Sequence, residues 1–179
     1  ESSWTKTTIA DADREIARFQ RAREEAQTEL DELYQEALEQ VGEENAMIFD
    51  VHKMMLEDLD YIEGVENRIR TEMVNAEYAV TVTGEEFSAV FSSMDDDYMK
   101  ARAADVIDIS GRVVKILEGR EDAELHTKEA VIVLADDLSP SETIQMDKSK
   151  ILAIVTKHGS ANSHTAILAR SLNIPSLVN

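Results

Sequence analysis

The Ser-His pair near the C-terminal end is the part of this sequence best suited to chemistry. A strand-like run, Ile151 to Thr156, leads through a turn containing Gly159 to Ser163-His164-Thr165. Ser163 can cap a short helix that begins at His164 or Thr165. The unpaired N–H groups of a first helical turn and the positive end of the helix dipole bind anions such as phosphate. A nucleophilic imidazole beside an anion site indicates phosphoryl transfer through His164.

The other three histidines are weaker candidates. His158 precedes the glycine and is predicted to lie on a solvated turn, while His126 and His52 are farther away in the sequence. None of them has Cys, Asp or His residues around it at the spacing that a zinc site needs. An isolated histidine is usually a buried side chain satisfied by hydrogen bonds, but the Ser-His-Thr-Ala context of His164 favours a nucleophile.

The elements that position His164 are predicted after Gly119. Ala130 to Ala135 and Ile151 to Thr156 are apolar runs that predict two buried strands, and Ile174 to Val178 starts a third. Between the first two lies Ser139-Pro140-Ser141-Glu142, a capping box with proline at the first helical position, which predicts a short helix to about Met146. A second helix is predicted from Thr165 to Leu172. This βαβαβ order predicts a mainly parallel sheet with both helix starts at one edge.

The first two thirds of the chain is predicted to be helical, since no proline occurs from Asp11 to about Glu118. A first helix ends before Gly42; its apolar stripe is Ile16, Phe19, Ala22 or Arg23, Ala26, Leu30, Leu33, Ala37 and Val41. The second helix carries Ala46, Met47, Val51, Met54, Met55 and Leu59 and continues through Tyr61, Ile62, Val65 and Ile69 after a bend near Asp58 to Asp60. A third helix is predicted from about Asn75 to Met94, with Ala79, Thr83, Phe87, Val90 and Met94 on one face, and a last one from about Asp96 to Leu117.

Four helices with short connections predict an antiparallel bundle of two hairpins. The heptad-like spacing of the first helix also permits a coiled coil, but the short, interrupted segments favour an intramolecular bundle. The fold class is therefore α+β. We predict that residues 9–118 form the bundle and that residues 1–8 and 119–179 form a small α/β subdomain.

Composition limits the function classes. The formal net charge of −19 argues against nucleic acid or an anionic membrane as a partner and favours a basic protein surface. The chain has no cysteine, no apolar run of membrane-spanning length and no signal-peptide pattern at its start. These features predict a cytoplasmic protein.

The run Gly159…Ser163-His164-Thr165-Ala166…Ala169-Arg170…Ile174-Pro175 resembles the phosphohistidine signature of enzyme I of the bacterial phosphotransferase system, phosphoenolpyruvate synthase and pyruvate phosphate dikinase. The resemblance implies that His164 is the phosphorylated residue. Ser160 and Ala161 stand where the family usually has glycine and, in enzyme I, arginine. In enzyme I a threonine before the Pro-Ser-Glu sequence hydrogen-bonds the active histidine, which implies that role for Ser139, although capping alone explains Ser139 equally well. Ser163 and Thr165 are the implied hydroxyl groups that balance charge on the phosphoryl group.

The helical part resembles the subdomain that enzyme I inserts before its α/β region and that binds the small phosphocarrier HPr. The resemblance is carried by the run from Gly42 to Asp58 and the run from Asp96 to Val106. It implies a partner face with apolar contacts, acidic groups and a pairing arginine. Its residues are Glu43, Glu44, Asp50, His52, Met54, Met55, Asp58, Met99 and Arg102. A buried methionine pair and a solvated acidic surface are the alternative interpretation of the same residues.

The resemblance also implies where the phosphoryl group of the histidine comes from. In enzyme I, phosphoenolpyruvate binds with Mg2+ on a separate C-terminal barrel domain, which this sequence lacks, and the full-length enzyme is a homodimer. We therefore expect a fragment with an incomplete sheet that includes no metal site of its own. The swivelling domain of a synthase or dikinase and a non-catalytic helical interaction module are the two alternatives.

Overall fold

The computed structural model of the chain describes residues 3–120, 129–159 and 163–178. These residues form two compact units. The first contains residues 3–30 and 51–120, and the second contains residues 31–50, 129–159 and 163–178. This division differs from the predicted one, because residues 31–50 belong to the second unit and residues 3–8 to the first.

The helical part consists of α1 (Ala12–Val41), α2 (Glu43–Glu57), α3 (Leu59–Glu72), α4 (Ala76–Ser92) and α5 (Asp97–Leu117). Gly42, with φ of 84°, ends α1 as predicted. The predicted second helix is two helices, because Asp58 adopts an extended conformation and accepts a hydrogen bond from the Tyr61 N–H at 3.0 Å, which starts α3. None of the helices in the described part of the chain is long and apolar enough to cross a membrane.

The apolar stripe of α1 is confirmed, since Phe19, Leu30 and Leu33 are all buried. The stripe predicted for α2 is confirmed at Ala46 and wrong at Met47 and Met54. Met47 and Met54 are 53% and 67% exposed, whereas the buried residues of this helix are Ala46, Ile48, Phe49, His52 and Leu56. The helix is therefore rotated from the predicted orientation, and a histidine lies on its buried side.

Helices α3, α4 and α5 pack together in the first unit, with α4 in contact with both others. Arg18 of α1 joins this group, because it donates to Glu77 of α4 at 2.6 Å and to the Leu117 carbonyl oxygen at 3.1 Å. An extended N-terminal segment lies on the same helices. Thr8 forms an antiparallel bridge with Val74, and the Thr7 N–H donates to Asn75 Oδ1 at 2.8 Å.

The second unit contains a three-stranded sheet and two short helices. The strands β1 (Val131–Ala135), β2 (Ile151–Thr156) and β3 (Ser176–Val178) pair in sequence order, and both pairings are parallel. The crossover helices are α6 (Pro140–Gln145) and α7 (His164–Ser171). The predicted α+β class and the βαβαβ order with a parallel sheet are confirmed.

One face of the sheet is covered and the other is not. Ile151 and Ile154 pack in a core cluster with Met146, Ala169 and Leu172. On the opposite face Ile132, Leu134, Leu152 and Leu177 are between 57% and 76% exposed. The prediction that β1 and β2 are buried strands is therefore wrong for alternate residues.

Candidate functional site

His164 is the first residue of α7 and follows the turn beyond the C-terminal end of β2. Its helix is capped by Ser163, whose Oγ accepts a hydrogen bond from the Ala166 N–H at 3.2 Å. The side chain of His164 is partly exposed. The imidazole therefore lies in the first turn of a helix, where the backbone N–H groups have no intrahelical acceptors and the helix dipole is positive. This is the placement that the sequence predicts.

The turn between β2 and α7 requires a glycine. Gly159 has φ of 122°, a conformation that residues with a Cβ atom rarely adopt. Space is not the constraint, since a Cβ atom at this position would come no closer than 3.9 Å to its neighbours. Ser160, Ala161 and Asn162 lie outside the described residues. Gly159 thus allows the chain to turn from the strand toward Ser163.

Backbone hydrogen bonds hold the ends of β1 and β2 together on this side of the sheet. The Lys157 N–H donates to the Ala135 carbonyl oxygen at 3.1 Å, and the His158 N–H donates to the Asp136 carbonyl oxygen at 2.8 Å. The side chain of His158 is exposed, as predicted. The pairing continues one residue beyond β1 and two residues beyond β2, and so restricts the segments that lead to the two helices.

Thr165 connects the start of α7 to the segment before α6. Its Oγ1 donates to the Leu138 carbonyl oxygen at 2.5 Å. A threonine hydroxyl has a single hydrogen to donate, and this bond uses it. In this structure the side chain therefore positions α7, and the predicted role of Thr165 in balancing charge on a phosphoryl group stays a prediction. Ser163 differs, since its hydroxyl accepts a bond and keeps its hydrogen for another acceptor.

Ser139 forms the predicted capping box of α6. Its Oγ accepts from the Glu142 N–H at 3.3 Å, while the Ser139 N–H donates to Glu142 Oε2 at 2.8 Å. The Ser139 hydroxyl also donates to Glu142 Oε2, at 3.0 Å. The capping role of Ser139 is thereby established, and a hydrogen bond from Ser139 to His164 stays a prediction.

The residues predicted for a partner face fall in both units, and three of them lie in the second. Glu43, Glu44 and Asp50 of α2 are all exposed to solvent. Two of these carboxylates are in the first turn of the helix, where negative charge is favourable because of the helix dipole. They form an acidic surface available to a partner.

The other predicted face residues lie in the first unit. Met54 is 67% exposed, which excludes the interpretation of this side chain as core, while Met55 and Met99 are partly buried. Asp58 is exposed, and it also caps α3. These residues combine apolar and acidic groups on the surface of the helices.

His52 and Arg102 both contact Asp105 of α5 rather than forming an exposed contact surface. His52 is 1% exposed, with its Nε2 3.1 Å from Asp105 Oδ1 and its Nδ1 3.5 Å from Asp108 Oδ2. Arg102 donates to the other oxygen of Asp105 at 2.8 Å. The prediction of His52 as a contact residue is corrected, because its side chain lies below the surface. Asp105 was not predicted, although its spacing of three residues from Arg102 was a usable signal.

Arg102 is also more enclosed than predicted. Its side chain is 13% exposed, and its guanidinium carbon lies 4.6 Å from the centre of the Tyr98 ring. The pairing with Asp105 and the stacking on Tyr98 hold the guanidinium in one orientation. Tyr98 itself is 64% exposed, and the predicted set of face residues did not include it.

The described residues offer no site for a metal ion. In residues 3–120, 129–159 and 163–178 no group of three or more His, Cys, Asp or Glu side chains has a suitable arrangement.

The fold and the site define a class of protein that two family models describe. A model of the N-terminal region of PEP-utilising enzymes matches residues 2–102, and a model of the mobile domain of PEP-utilising enzymes matches residues 127–179. Together they cover α1 to α4, the first residues of α5 and the segment that contains His164.

Individual relatives narrow this class. The phosphoenolpyruvate-protein phosphotransferases of Geobacillus stearothermophilus and Bacillus sp. (strain S) are 41% and 40% identical over 174 residues, which is 97% of this chain and 30% of each relative. A solution structure of Enzyme I (nEIt) matches 99% of this chain and 73% of its own with a TM-score of 0.81 and 39% identity. The chain belongs to the PEP-utilising enzyme family and, within it, to the Enzyme I proteins. It spans less than a third of the length of these two phosphotransferases.

Proposed function

We propose that this chain is the phosphohistidine region of a cytoplasmic phosphotransferase. It receives a phosphoryl group that originates from phosphoenolpyruvate and passes it to HPr, the first step of the sugar phosphotransferase system. The observation that carries this proposal is the position of His164, which lies partly exposed in the first turn of α7 beyond the end of a parallel strand. The names of the relatives support the same reaction class.

The chemistry consists of two displacements at phosphorus. An unprotonated ring nitrogen of His164 attacks the phosphorus atom, an N–P bond forms, and the P–O bond to the enolpyruvate oxygen breaks. In the second step a histidine nitrogen of HPr attacks the same phosphorus and the N–P bond to His164 breaks. Imidazole suits both steps, because its neutral form is present near pH 7 and is nucleophilic.

The protein environment needs to align the reacting groups and stabilise the charge of the phosphoryl oxygens. The N–H groups of the first turn of α7 and the Ser163 hydroxyl are the proposed donors. Thr165 acts indirectly, since its bond to the Leu138 carbonyl oxygen holds the first turn in place. Ser139 holds α6 through its capping box.

HPr is the proposed partner of the exposed helical residues. Glu43, Glu44 and Asp50 supply negative charge in one unit, and Met54, Met55, Asp58 and Met99 supply apolar and acidic contacts in the other. Flexible methionines adapt to a partner surface, and acidic groups speed the encounter with a basic one. The phosphoenolpyruvate site, its Mg2+ and the contacts of a homodimer are proposed for parts of the enzyme outside this chain.

The test is transfer in the reverse direction, from phosphorylated HPr to this chain. We expect incubation with phosphorylated HPr to produce an acid-labile phosphate on His164, located by mass spectrometry. Phosphoenolpyruvate and Mg2+ alone should give no label, because the site for them is proposed for parts of the enzyme outside this chain. The His164→Ala variant should lose the label and retain binding to HPr.

The exposed His158 provides a matched control, since it is six residues away and has an ordinary solvated side chain. His158→Ala should be labelled as the unaltered chain is. Absence of label on every histidine of a folded chain would support a non-catalytic helical module instead. Labelling by phosphoenolpyruvate and Mg2+ alone would mean that the donor site lies within these residues, and the proposed division of the reaction would be wrong.

A further inference from the structure

The last residue of β2, Thr156, carries a buried hydroxyl to which the proposed function gives no role. Its side chain is more than nine tenths buried, since Thr156 is 6% exposed. A buried hydroxyl in a folded protein nearly always has a hydrogen-bond partner. Within residues 3–120, 129–159 and 163–178, the Thr156 hydroxyl forms no hydrogen bond. This hydroxyl is therefore a polar group whose burial the fold alone does not explain.

The position of Thr156 in the sheet places it on the face that α7 covers. Side chains two residues apart in a strand point to the same face. Ile154, two residues earlier, is 1% exposed and packs in the core cluster with Ala169 of α7. Thr156 is also at the C-terminal end of β2, and the chain enters α7 from that edge of the parallel sheet. The hydroxyl thus lies on the side of the sheet and at the edge where α7 begins.

Gly159 connects Thr156 to the cap of α7. A Cβ atom at Gly159 would lie 3.9 Å from Thr156 Oγ1 and also 3.9 Å from Ser163 Oγ. The two hydroxyl oxygens are therefore no more than twice that distance apart. Because residue 159 is a glycine, no side chain of its own fills the position next to both of them.

Both hydroxyls can donate to the same anion. Ser163 Oγ accepts a hydrogen bond from the Ala166 N–H at 3.2 Å and keeps its hydrogen for another acceptor. A phosphoryl group has three strong acceptor oxygens, and hydroxyls bond to charged oxygens at about 2.5–2.7 Å. Two such bonds, with the width of the phosphoryl group between them, are long enough to span the distance between the two hydroxyls.

We propose that Thr156 is a further binding residue for the phosphoryl group carried by His164. The Thr156 hydroxyl donates a hydrogen bond to one phosphoryl oxygen, while Ser163 and the N–H groups of the first turn of α7 donate to the others. No covalent bond of Thr156 forms or breaks, and its proton stays on Oγ1. The buried hydroxyl gains its partner only in the phosphorylated state and so favours that state. This inference rests on the proposed function, since it requires a phosphoryl group on His164.

Two substitutions at position 156 test the role of the hydroxyl. Thr156→Val removes it and keeps the branched shape, whereas Thr156→Ser keeps it. We expect Thr156→Val to lower the equilibrium constant for transfer from phosphorylated HPr to His164 about tenfold or more, because hydrogen bonds to charged groups are the stronger kind. Thr156→Ser should remain close to the parent. Quantitative mass spectrometry of both proteins at equilibrium measures the constant.

The titration of the phosphoryl group gives a second measurement that a structural role of Thr156 would not change. A hydrogen bond donated to the charged form of a group lowers its pKa. The pKa of the phosphoryl group on His164, followed by phosphorus NMR against pH, should therefore be higher in Thr156→Val than in the parent. Thr156→Ser should again resemble the parent.

Thr143 provides a matched control in the same unit. It is fully buried, and its hydroxyl donates to the Ser139 carbonyl oxygen at 3.0 Å. Thr143→Val should lower the midpoint of urea unfolding, since it leaves that hydrogen bond unmade, and should keep the transfer constant of the parent. Thr156→Val should show the opposite pattern, with a midpoint at least as high as that of the parent, because it removes a buried hydroxyl that has no partner.

Three results would each overturn the role of Thr156 and leave the proposed function intact, provided that His164 of the parent is labelled. They are an unchanged transfer constant and phosphoryl pKa in Thr156→Val, equal losses in Thr156→Val and Thr156→Ser, and a fall in the urea midpoint of Thr156→Val as large as that of Thr143→Val. Absence of label on His164 of the folded parent would instead reject the proposed function and this inference with it.

Discussion

Tyr61 shows how a single side chain can link folding to pH. It is 1% exposed, and its hydroxyl is 2.8 Å from Ser110 Oγ. Burial raises the pKa of Tyr61 from 10.0 to about 12, although the hydrogen bond with Ser110 opposes the rise. A phenol with a raised pKa in the folded state stabilises the fold at pH values below the unfolded pKa and loses this effect as the pH rises through the folded pKa. We expect the free energy of unfolding to fall by about 2–3 kcal/mol between pH 10 and pH 12 from this group.

Urea unfolding at several pH values measures this effect, and Tyr61→Phe isolates it from the titration of lysines and other tyrosines. The variant should be less stable by about 1 kcal/mol at pH 7, since it leaves the buried Ser110 hydroxyl without its partner. Its stability should fall less steeply than that of the parent above pH 10. Equal slopes for parent and variant would contradict the assigned cause.

At the same scale, the two histidines of interest differ in what their neighbours reveal. The position of His164 at a helix start was predictable, because Ser163 and Gly159 mark a turn and a helix start within a few residues of it. The burial of His52 was not predicted, although Phe49 and Leu56 lie three residues before and four residues after it, on the same side of α2. The partners Asp105 and Asp108 are on a different helix, and sequence spacing does not show which helices meet.

At the scale of elements, the residues at which helices begin were easier to predict than the faces of strands that are exposed. Capping residues mark the starts of α4, α5, α6 and α7, and each observed start lies within about one residue of its prediction. The exposed faces were harder, because Ile151 to Thr156 and Ala130 to Ala135 contain few polar residues that would distinguish one side of a strand from the other. The half-exposed sheet could therefore not be distinguished from a fully covered one.

Two glycines in the packed pair of helices α4 and α5 should respond to substitution in opposite directions. Gly84→Ala should destabilise the protein by about 1–3 kcal/mol, because its Cβ atom would lie 2.4 Å from Ser110 Oγ and 2.9 Å from Ser110 Cβ. Gly111→Ala should stabilise it by up to about 1 kcal/mol, because alanine is the better helix former and meets no neighbour among the described residues. Thermal or urea unfolding of the two variants checks both signs.

Ser110→Ala provides the control for the first of these substitutions. It removes Oγ and leaves Cβ, so Gly84→Ala should cost less in a Ser110→Ala background than in the parent, in a double-mutant cycle. An additive pair would mean that the predicted clash with the hydroxyl does not cause the loss. Destabilisation by Gly111→Ala would likewise contradict the open space described at that position.

At the scale of the whole molecule, charge is the dominant property. The chain has 37 acidic and 18 basic residues, which gives the formal net charge of −19. A strong net charge is informative about partners and encounter rates rather than about fold. It was accessible from composition alone, whereas the placement of acidic residues at exposed positions of α2 needed the structure.

The acidic surface of α2 should speed the encounter with HPr more than it strengthens the complex. We expect the triple variant Glu43→Gln, Glu44→Gln and Asp50→Gln to lower the association rate roughly 2- to 10-fold at low ionic strength, with a smaller change in the dissociation rate. Asp58 is left unchanged, because it caps α3 and its loss would alter the helix. The difference should shrink as salt is raised to about 0.15 M, where the Debye length is about 8 Å. Stopped-flow mixing with HPr measures both rates.

A control variant removes the same charge elsewhere. In it Glu24, Glu25 and Glu39, which are exposed residues of α1 outside the predicted face, are neutralised. An equal slowing by this control would mean that total charge, and not the α2 surface, guides the partner.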